Sequence, residues 1–161
     1  MKSQLKQWKY DSPVGPLYII ASPTGLRGLY WEEQDVAHAS VITPILIQAQ
    51  NELAEYFIGG RTNFTVPLEL MGTPFQLRVW KELLKIPYAH TYSYRKLASC
   101  IKKHNAVRAV GSANGKNPLC IIVPCHRVIA SDGSLGGYAG GIKTKMKLLD
   151  LELLVQGESQ K

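Results

Sequence analysis

The chain is organised around one stretch in its C-terminal third, Ile121-Ile122-Val123-Pro124-Cys125-His126-Arg127-Val128. Apolar residues run without interruption from 119 to 123 and end at a proline, a pattern that predicts a buried extended segment. Pro124 fixes its own φ angle and holds the preceding residue extended, so the backbone that leads to Cys125 is predicted to be stiff. An imidazole and a guanidinium follow the thiol. Because only a thiolate attacks, and because a nearby base or cation makes it available, this arrangement indicates a nucleophilic cysteine.

Length and composition predict a soluble, cytosolic protein. A chain of 161 residues with 45% apolar residues can bury a core as one domain or as two small ones. The basic N-terminus lacks the apolar segment of a secretion signal, and no stretch approaches the roughly 18 apolar residues of a membrane span. Three cysteines, all in the C-terminal half, are a poor disulfide framework and suit a reducing compartment.

The positive charge is concentrated in the second half. The chain carries a net charge of +7, but residues 1–71 contain five Lys and Arg against seven Asp and Glu, whereas residues 72–161 contain fourteen against five. The first segment therefore has a net charge of −2 and the second of +9. Because phosphate neutralisation supplies much of the affinity of proteins for nucleic acids, this distribution favours a polyanion as partner. The alternative is a solvated basic face without a partner.

The first 71 residues are predicted to form a small sheet with one helix. Strand-forming runs at 17–21 and 26–31 flank a turn signal that contains proline and glycine, and they predict a hairpin. Apolar residues at helical spacing predict a helix over 45–58, which a pair of glycines ends. A further short strand is predicted at 63–66. No catalytic constellation is visible in this part of the sequence.

The second half begins at a helix start signal. Thr73 is a suitable N-cap and Pro74 suits the first helical position, so the domain boundary is predicted between residues 71 and 72. Two shorter helices follow, one capped by Ser93 and one over 106–113, joined by a polar turn. Two short helices with a brief connection are typical of a helix-turn-helix, which predicts contact with DNA in combination with the local charge.

The predicted helix over 106–113 carries small residues that allow its backbone to approach another surface closely. These are Ala106, Ala109, Gly111 and Ala113. Arg108 lies among them with little steric competition. It is interpreted either as a guanidinium inserted into a duplex in place of a displaced base, or as a phosphate contact or surface ion pair.

A glycine-rich tract and a last helix follow the central stretch. Residues 131–141 lack a preceding strand, and the next lysine arrives one position too late for a phosphate-binding loop. The tract is better interpreted as a wall that wraps a flat ligand with backbone amides. The last helix is predicted over 142–154 and can carry Glu152 near the site. The residues predicted to be buried on it are Met146, Leu149 and Leu153.

A metal site is the other use considered for this cluster. Cys120, Cys125, His104 and His126 could be counted as ligands, but their spacing matches no familiar zinc pattern, so no metal and no cofactor are predicted. Cys100 and Cys120 are interpreted as buried small apolar residues. From the residues alone, a cysteine hydrolase, a metal site and simple core packing stay open.

The central stretch resembles the active-site signature of the O6-alkylguanine-DNA alkyltransferases, also called methylated-DNA–protein-cysteine methyltransferases. The resemblance covers essentially the whole C-terminal half, while the N-terminal half agrees only in general pattern. The other matching motifs fall in the order and approximate spacing of the family: Gly72-Thr73-Pro74-Phe75-Gln76, Thr91-Tyr92-Ser93-Tyr94, Arg108-Ala109-Val110-Gly111, Asn117-Pro118 and Gly137-Tyr138-Ala139-Gly140-Gly141.

The resemblance implies a reaction and a role for each matching residue. Cys125 would attack the alkyl carbon on guanine O6, or the one on thymine O4, and would keep the alkyl group in a single, irreversible turnover. His126 would activate the thiol through a water, with Glu152 orienting the ring. Direct contact is not expected, because neighbouring side chains of an extended segment point to opposite faces. Asn117 would hold the loop of the nucleophile. The substrate pocket would be formed by Val128, Tyr138 and Ala139, with Lys145 nearby.

The resemblance also implies how DNA is bound. The helix-turn-helix would enter the minor groove of double-stranded DNA, with Tyr94 crowding the backbone so that the damaged nucleotide rotates outward and protonating or contacting the departing guanine. Arg108 would fill the vacancy in the base stack, and Ala109 and Ala113 would permit close approach. The protein would act as a monomer, in the cytoplasm or, in a bacterium, on the nucleoid.

The implied fold is α+β. It comprises a ribonuclease-H-like N-terminal domain of antiparallel sheet and helix over 1–71, and a mostly helical, winged-helix-like domain over 72–161 that binds DNA and carries the nucleophile. Two departures from relatives stand out: Ala139 replaces a common serine, and the N-terminal half lacks the cysteines of a structural zinc site. The alternatives are a module that binds alkylated DNA without reacting and a cysteine-dependent hydrolase.

Overall fold

The computed structural model describes residues 4–159, with side chains described as far as residue 157. The chain divides into two compact units, Met1–Met71 and Gly72–Lys161. The first unit contains a small antiparallel sheet and a helix, and the second is mostly helical with two very short strands. The predicted α+β class is confirmed.

A three-stranded sheet forms the first unit. Strands β1 (Lys6–Ser12), β2 (Gly15–Ala21) and β3 (Leu26–Tyr30) pair antiparallel in sequence order. The predicted hairpin is confirmed as β2 and β3. Strand β1 was not predicted. Its sequence is mostly polar, and the one buried residue among the seven is Gln7, so it has no continuous apolar run to reveal it.

Helix α1 (Pro44–Phe57) covers this sheet and confirms the predicted helix. Thr43 caps its N-terminus, and its apolar stripe is fully buried at Leu46, Ala49, Leu53 and Tyr56. The strand predicted at 63–66 is wrong. The backbone amides of Thr65 and Val66 donate to the buried carboxylate of Glu52, at 2.8 and 3.2 Å, so a side chain takes the place of a strand partner.

Three helices begin the second unit, and each starts as the sequence predicts. In α2 (Pro74–Leu83), Thr73 and Gln76 form a reciprocal capping box. Helix α3 (Tyr94–Cys100) is capped by Ser93. Helix α4 (Val107–Gly115) packs against both α2 and α3. The three helices therefore form a compact group in which α3 and α4 are the predicted helix pair.

The remaining elements frame the central stretch. Strand β4 (Tyr92–Ser93) pairs in parallel with β5 (Val128–Ile129), which directly follows a 3-10 turn, Cys125–Arg127. Helix α5 (Ile142–Ser159) ends the described chain. The pairing of β4 with β5 brings the start of α3 beside the residues that follow Cys125.

The predicted buried face of α5 is wrong. Met146 and Leu153 are 47% and 60% exposed, and Leu149 is only partly buried. The fully buried residues are Leu148 and two charged ones, Lys145 and Glu152. These three lie at i, i+3 and i+7 on one face. These two charged residues are buried because their hydrogen-bond partners lie inside the unit. The periodicity of apolar residues in the sequence cannot reveal such partners.

Candidate active site

The backbone before Cys125 is a tight turn, which makes the prediction of an extended segment wrong. Ile122 N donates to Cys120 O at 2.8 Å and Val123 N donates to Leu119 O at 2.9 Å. Between them Ile121 has a φ angle of 73°, a strained value for a β-branched residue. A continuous apolar run can be a buried turn as well as a strand, and here the chain reverses.

Asn117 holds this turn from inside. Its Nδ2 donates to Val123 O at 2.7 Å, and its Oδ1 accepts from Leu119 N at 2.9 Å. The side chain is 6% exposed and thus replaces two backbone partners that the turn would otherwise lack. The loop-holding position predicted for Asn117 is therefore visible in its contacts.

Cys125 lies at a cavity of about 340 Å³ in the second unit. The volume lies within the range of small-ligand pockets. Its lining comprises Tyr94, Gly111, Asn114, Gly115, Asn117, Cys120, Cys125, Gly137, Tyr138 and Ala139. The structure thus brings together five of the predicted site residues. Val128 does not line the cavity; it lies in β5 and pairs with Tyr92.

The surroundings of Cys125 favour its protonated form. The side-chain hydrogen bond with Cys120 and burial raise the pKa of the Cys125 thiol well above its usual value, while Asn117 and the charge of Lys145 act in the opposite direction. The thiol is only 4% exposed. A reaction of this sulfur therefore needs a nearby base to take the proton as the sulfur attacks.

A buried cluster of His126, Arg127 and Glu152 lies directly after the nucleophile. His126 Nε2 is 2.6 Å from Glu152 Oε2, and Arg127 donates to both carboxylate oxygens at 2.8 and 3.1 Å. The remaining donors fix the ends of the cluster: Ala89 N donates to Glu152 at 3.0 Å, and Arg127 donates to Ile86 O at 2.8 Å. All three residues are at most 6% exposed.

The charges within this cluster define the state of the imidazole. Burial alone would raise the pKa of Glu152, but the hydrogen bonds and charges of His126 and Arg127 lower it to about 2. Burial lowers the pKa of His126 below its usual value in spite of Glu152, and Arg127 and Lys145 add to the effect. The imidazole is therefore neutral near neutral pH, with its Nε2–H donating to Glu152. Nδ1 has no hydrogen-bond partner among residues 4–159, so its lone pair is available.

Tyr94, the first residue of α3, lines the cavity together with Asn114, a residue that was not among the predicted site residues. Burial and the neighbouring Cys125 raise the pKa of the Tyr94 phenol, while a hydrogen bond with Asn114 lowers it. A bond that lowers a phenol pKa stabilises the phenolate, so Asn114 donates to the Tyr94 oxygen. Asn114 is 6% exposed, and its Oδ1 has no hydrogen-bond partner.

The position of Asn114 in the sequence carries a signal of this buried role. It lies four residues after the buried Val110, on the inward face of α4. A polar residue at such a position must find partners inside the protein.

The glycine-rich loop also approaches Tyr94 closely. Gly136 has a φ angle of 70°, and a Cβ there would lie 3.0 Å from the Tyr94 hydroxyl. Any other residue at 136 would be strained and would crowd this oxygen.

Lys145 donates hydrogen bonds to backbone carbonyls of the glycine-rich loop. Its ammonium group is fully buried and donates to Val128 O at 2.7 Å, to Leu135 O, and to Gly137 O at 3.3 Å. Burial lowers the pKa of this lysine, while the neighbouring Cys125 acts to raise it. Lys145 therefore connects β5 to the wall of the cavity and supplies positive charge near the sulfur.

The exposed face of α4 carries only part of the predicted DNA-binding set. Arg108 and Ala109 are exposed. Ala113 is not on this face: it is 3% exposed, and its carbonyl accepts a hydrogen bond of 2.8 Å from Trp80 Nε1 of α2. The interpretation of Ala113 as a surface residue is therefore wrong, because α4 buries that side against α2.

The three cysteines differ in environment, and all are reduced. Cys100 is exposed rather than buried, which corrects its interpretation as a core residue. Cys120 is 4% exposed but lines the cavity and contacts Cys125, so its place is not explained by packing alone.

Within residues 4–159, no three His, Cys, Asp or Glu side chains are grouped to hold a metal ion. None of the helices described is long and apolar enough to cross a bilayer.

Comparison with known proteins identifies the family. Residues 74–154 match the DNA binding domain of 6-O-methylguanine DNA methyltransferase, and residues 5–70 match its ribonuclease-like domain. The methylated-DNA–protein-cysteine methyltransferase of Mycobacterium tuberculosis is 48% identical over 146 residues, which is 88% of each chain. The constitutive enzyme of that name from Bacillus subtilis is 42% identical over 154 residues, or 88% of this chain and 92% of the other.

Solved structures agree with these matches. Mycobacterium tuberculosis OGT in complex with DNA superimposes with a TM-score of 0.84 at 44% identity, covering 94% of this chain and 93% of that one. The chain belongs to the family of 6-O-methylguanine DNA methyltransferases. The resemblance drawn from the central stretch is thereby confirmed.

Proposed function

We propose that Cys125 is the acceptor of an alkyl group carried on O6 of guanine, and on O4 of thymine, in double-stranded DNA. The chain is a DNA repair enzyme that moves an alkyl group from DNA to one of its own cysteines, as its relatives are named to do. The observation that carries the choice of residue is the cavity, which holds Cys125 beside Tyr94 and the glycine loop.

The transfer is an in-line displacement at the alkyl carbon. The sulfur of Cys125 forms a bond to that carbon as the bond from the carbon to O6 breaks, and guanine leaves. The thiol proton passes through a water to Nδ1 of His126, which is neutral and has a lone pair available. Guanine takes up a proton from the Tyr94 hydroxyl, so the charges balance. The thioether is not hydrolysed by this machinery, and each molecule reacts once.

Glu152 acts on the imidazole from the side away from the reaction. Its carboxylate keeps Nε2 protonated through the 2.6 Å contact and so directs the lone pair to Nδ1. It also stabilises the imidazolium that forms when the thiol proton arrives. A carboxylate with a pKa of about 2 stays ionised throughout and does not take the proton itself.

The second unit is proposed to bind DNA as a monomer through the minor groove. Its net charge of +9 suits phosphate contacts, and the small exposed Ala109 beside Arg108 allows a close approach of α4. The damaged base is rotated out of the stack into the cavity, because the reacting carbon cannot be reached inside a duplex. The protein is proposed to act in the cytoplasm, and in a bacterium on the nucleoid. A reducing compartment suits a reaction that consumes a thiol.

Arg108→Ala is expected to slow repair of O6-methylguanine in a duplex by about tenfold or more, since flipping costs a few kcal/mol and each ~1.4 kcal/mol is worth a factor of ten. Reaction with the free base O6-benzylguanine should keep its rate, because no stack has to be refilled. Single-turnover rates on both substrates measure the difference. Lys147→Ala, which removes one exposed charge from α5, is the matched control.

The two interpretations of Arg108 give different results in this experiment. If Arg108 makes a simple phosphate contact, its loss would weaken duplex binding and would lower the slope of log K against log salt concentration by about one. The rate at saturating DNA would be unchanged. Equal slowing on duplex and free base would show instead that the substitution disturbs the cavity, and either result would contradict the insertion of Arg108.

Asn114→Ala is expected to slow transfer about three- to tenfold, the equivalent of one neutral hydrogen bond of roughly 1 kcal/mol. The reason is that Tyr94 loses the donor that turns its O–H toward the substrate. If Asn114 acts through Tyr94, the same substitution in a Tyr94→Phe background should cost almost nothing more. Additive losses in this double-mutant cycle would show that Asn114 does not act through the phenol.

Stoichiometry tests the proposed reaction against its two alternatives. A fixed amount of O6-methylguanine duplex is titrated with protein, and the guanine restored is measured after completion. We expect one guanine for each active molecule and no further turnover. A hydrolase would restore many lesions per molecule, whereas a lesion-binding module would retain the duplex and restore none.

A further inference from the structure

A second thiol lies against the nucleophile although the proposed transfer uses only one. Cys120 precedes Cys125 by five residues, a distance that would place the two about 16 Å apart in an extended strand. The reversal of the chain at Ile121 brings them together instead, through the hydrogen bonds from Ile122 N to Cys120 O and from Val123 N to Leu119 O.

The two thiols lie on the wall of the same cavity. The side chains of Cys120 and Cys125 are hydrogen-bonded to each other, and both are 4% exposed. Asn117 holds the turn between them by bonds of 2.7 and 2.9 Å to Val123 O and Leu119 N. The turn therefore keeps both thiols on the same side of the chain, facing one cavity.

Both thiols also line the cavity, so a small reagent can reach them. The cavity of about 340 Å³ is far larger than the ~30 Å³ of a water molecule, to which hydrogen peroxide is similar in size. The third cysteine, Cys100, does not line the cavity. The pair is therefore the one place in the described chain where an oxidant can meet two thiols in contact.

We propose that Cys120 and Cys125 are a site of reversible oxidation, at which a peroxide converts the two thiols into an intramolecular disulfide that blocks alkyl transfer. The block rests on the proposed role of Cys125 as acceptor, but the formation of the disulfide does not. Cys120 acts here as a resolving cysteine, which captures the oxidised nucleophile before further oxygen is added.

The reaction balances with the peroxide as the only oxidant. The sulfur of Cys125 attacks one peroxide oxygen, the O–O bond breaks, and the thiol proton passes to the departing hydroxide, so that Cys125 becomes a sulfenic acid and one water is released. The sulfur of Cys120 then attacks the Cys125 sulfur, the S–O bond breaks, and a second water leaves. Two thiols and one peroxide give one disulfide and two waters. An external dithiol reverses the product by exchange and restores both thiols.

The test uses the full chain with Cys100→Ser, a substitution at an exposed position outside the site that removes intermolecular pairing. After treatment with hydrogen peroxide, we expect the intact mass to fall by two hydrogens and iodoacetamide, added after unfolding in denaturant, to label neither remaining cysteine. A dithiol should restore both labelling and transfer. Digestion without reduction should give a peptide pair that joins Cys120 to Cys125.

Cys120→Ser and Cys120→Ala, each shown to be folded by circular dichroism, provide the comparison. Under the same treatment both should gain oxygen atoms at Cys125 and should not recover transfer with a dithiol. Oxygen addition to the parent chain at the same rate as to these variants, or a disulfide only between molecules, would overturn the proposal. A Cys120–Cys125 disulfide that leaves transfer intact would confirm the oxidation site and contradict the role of Cys125 as acceptor.

Discussion

Glu152→Gln is expected to destabilise the second unit by about 3–5 kcal/mol, the usual loss when one member of a buried ion pair is removed. The carboxylate accepts from His126, from Arg127 through two nitrogens, and from Ala89 N. A glutamine of the same size offers one oxygen to these donors and turns its own amide donors toward the rest. Arg127 would be left buried without an opposite charge, with Ile86 O and at most one amide oxygen to accept from it. Urea denaturation followed by circular dichroism measures the loss.

Glu82→Gln is the matched control for this experiment. Glu82 also accepts from a cation within the second unit, but its partner Lys85 is 70% exposed, and such surface pairs contribute about 0–1 kcal/mol. A Glu152→Gln protein as stable as Glu82→Gln would show that the cluster of His126, Arg127 and Glu152 does not hold the site together.

The same cluster predicts the direction of acid sensitivity. The folded pKa of Glu152 lies near 2, below its ordinary value of about 4.3, so the unfolded chain binds the proton more tightly as the pH falls. Stability from this carboxylate is present above pH ~4.3 and is lost toward pH ~2, with a total of about 3 kcal/mol. His126 also has a lowered pKa and adds a loss that begins below pH ~6.5. Glu152→Gln should remove the lower of these two steps.

Cys125→Ala is expected to abolish alkyl transfer while it keeps the fold and the binding of alkylated duplex. The acceptor is lost, but Tyr94, Asn117 and the exposed face of α4 are unchanged, and a small cavity at a position open to the pocket adds little strain. Binding is measured by gel retardation of an O6-methylguanine duplex, and transfer is measured by restoration of guanine. Cys100→Ser, which alters an exposed thiol, should change neither.

This variant also separates the enzyme from a binding module. If Cys125→Ala still restored guanine, another thiol would be the acceptor, and Cys120 would be the first to examine because it lines the same cavity. If the wild-type protein and Cys125→Ala bound the lesion equally and neither restored guanine, the chain would be a lesion-binding protein.

Local signals in the sequence predicted the main elements and the chemistry. Thr73 and Ser93 cap the helices as expected, because capping depends on a side chain and on amides within the next turn. The pattern around Cys125 indicated the family, since the motif and the spacing of its partners are specific. These features depend on neighbours in the sequence, which a single chain displays directly.

Features that depend on distant partners were not predictable from the same signals. The buried face of α5 carries Lys145 and Glu152 because other segments supply their partners, the carbonyl of Val128 and the ring of His126. The spacing of apolar residues had predicted Met146 and Leu153 on that face instead. Residues 119–123 were expected to be extended, but the side chain of Asn117 supplies the partners of a turn. The same reversal explains why the contact of Cys120 with Cys125 could not be inferred from a separation of five residues.

The mass of the protein after reaction tests the central claim most directly. Wild-type protein is mixed with a duplex that contains one O6-methylguanine, and the intact mass and the peptides are then measured by mass spectrometry. We predict one added methylene unit per molecule, located on Cys125, with none on Cys100 or Cys120. A folded protein that binds the duplex but gains no mass, or that carries the methyl group on another residue, would contradict the account.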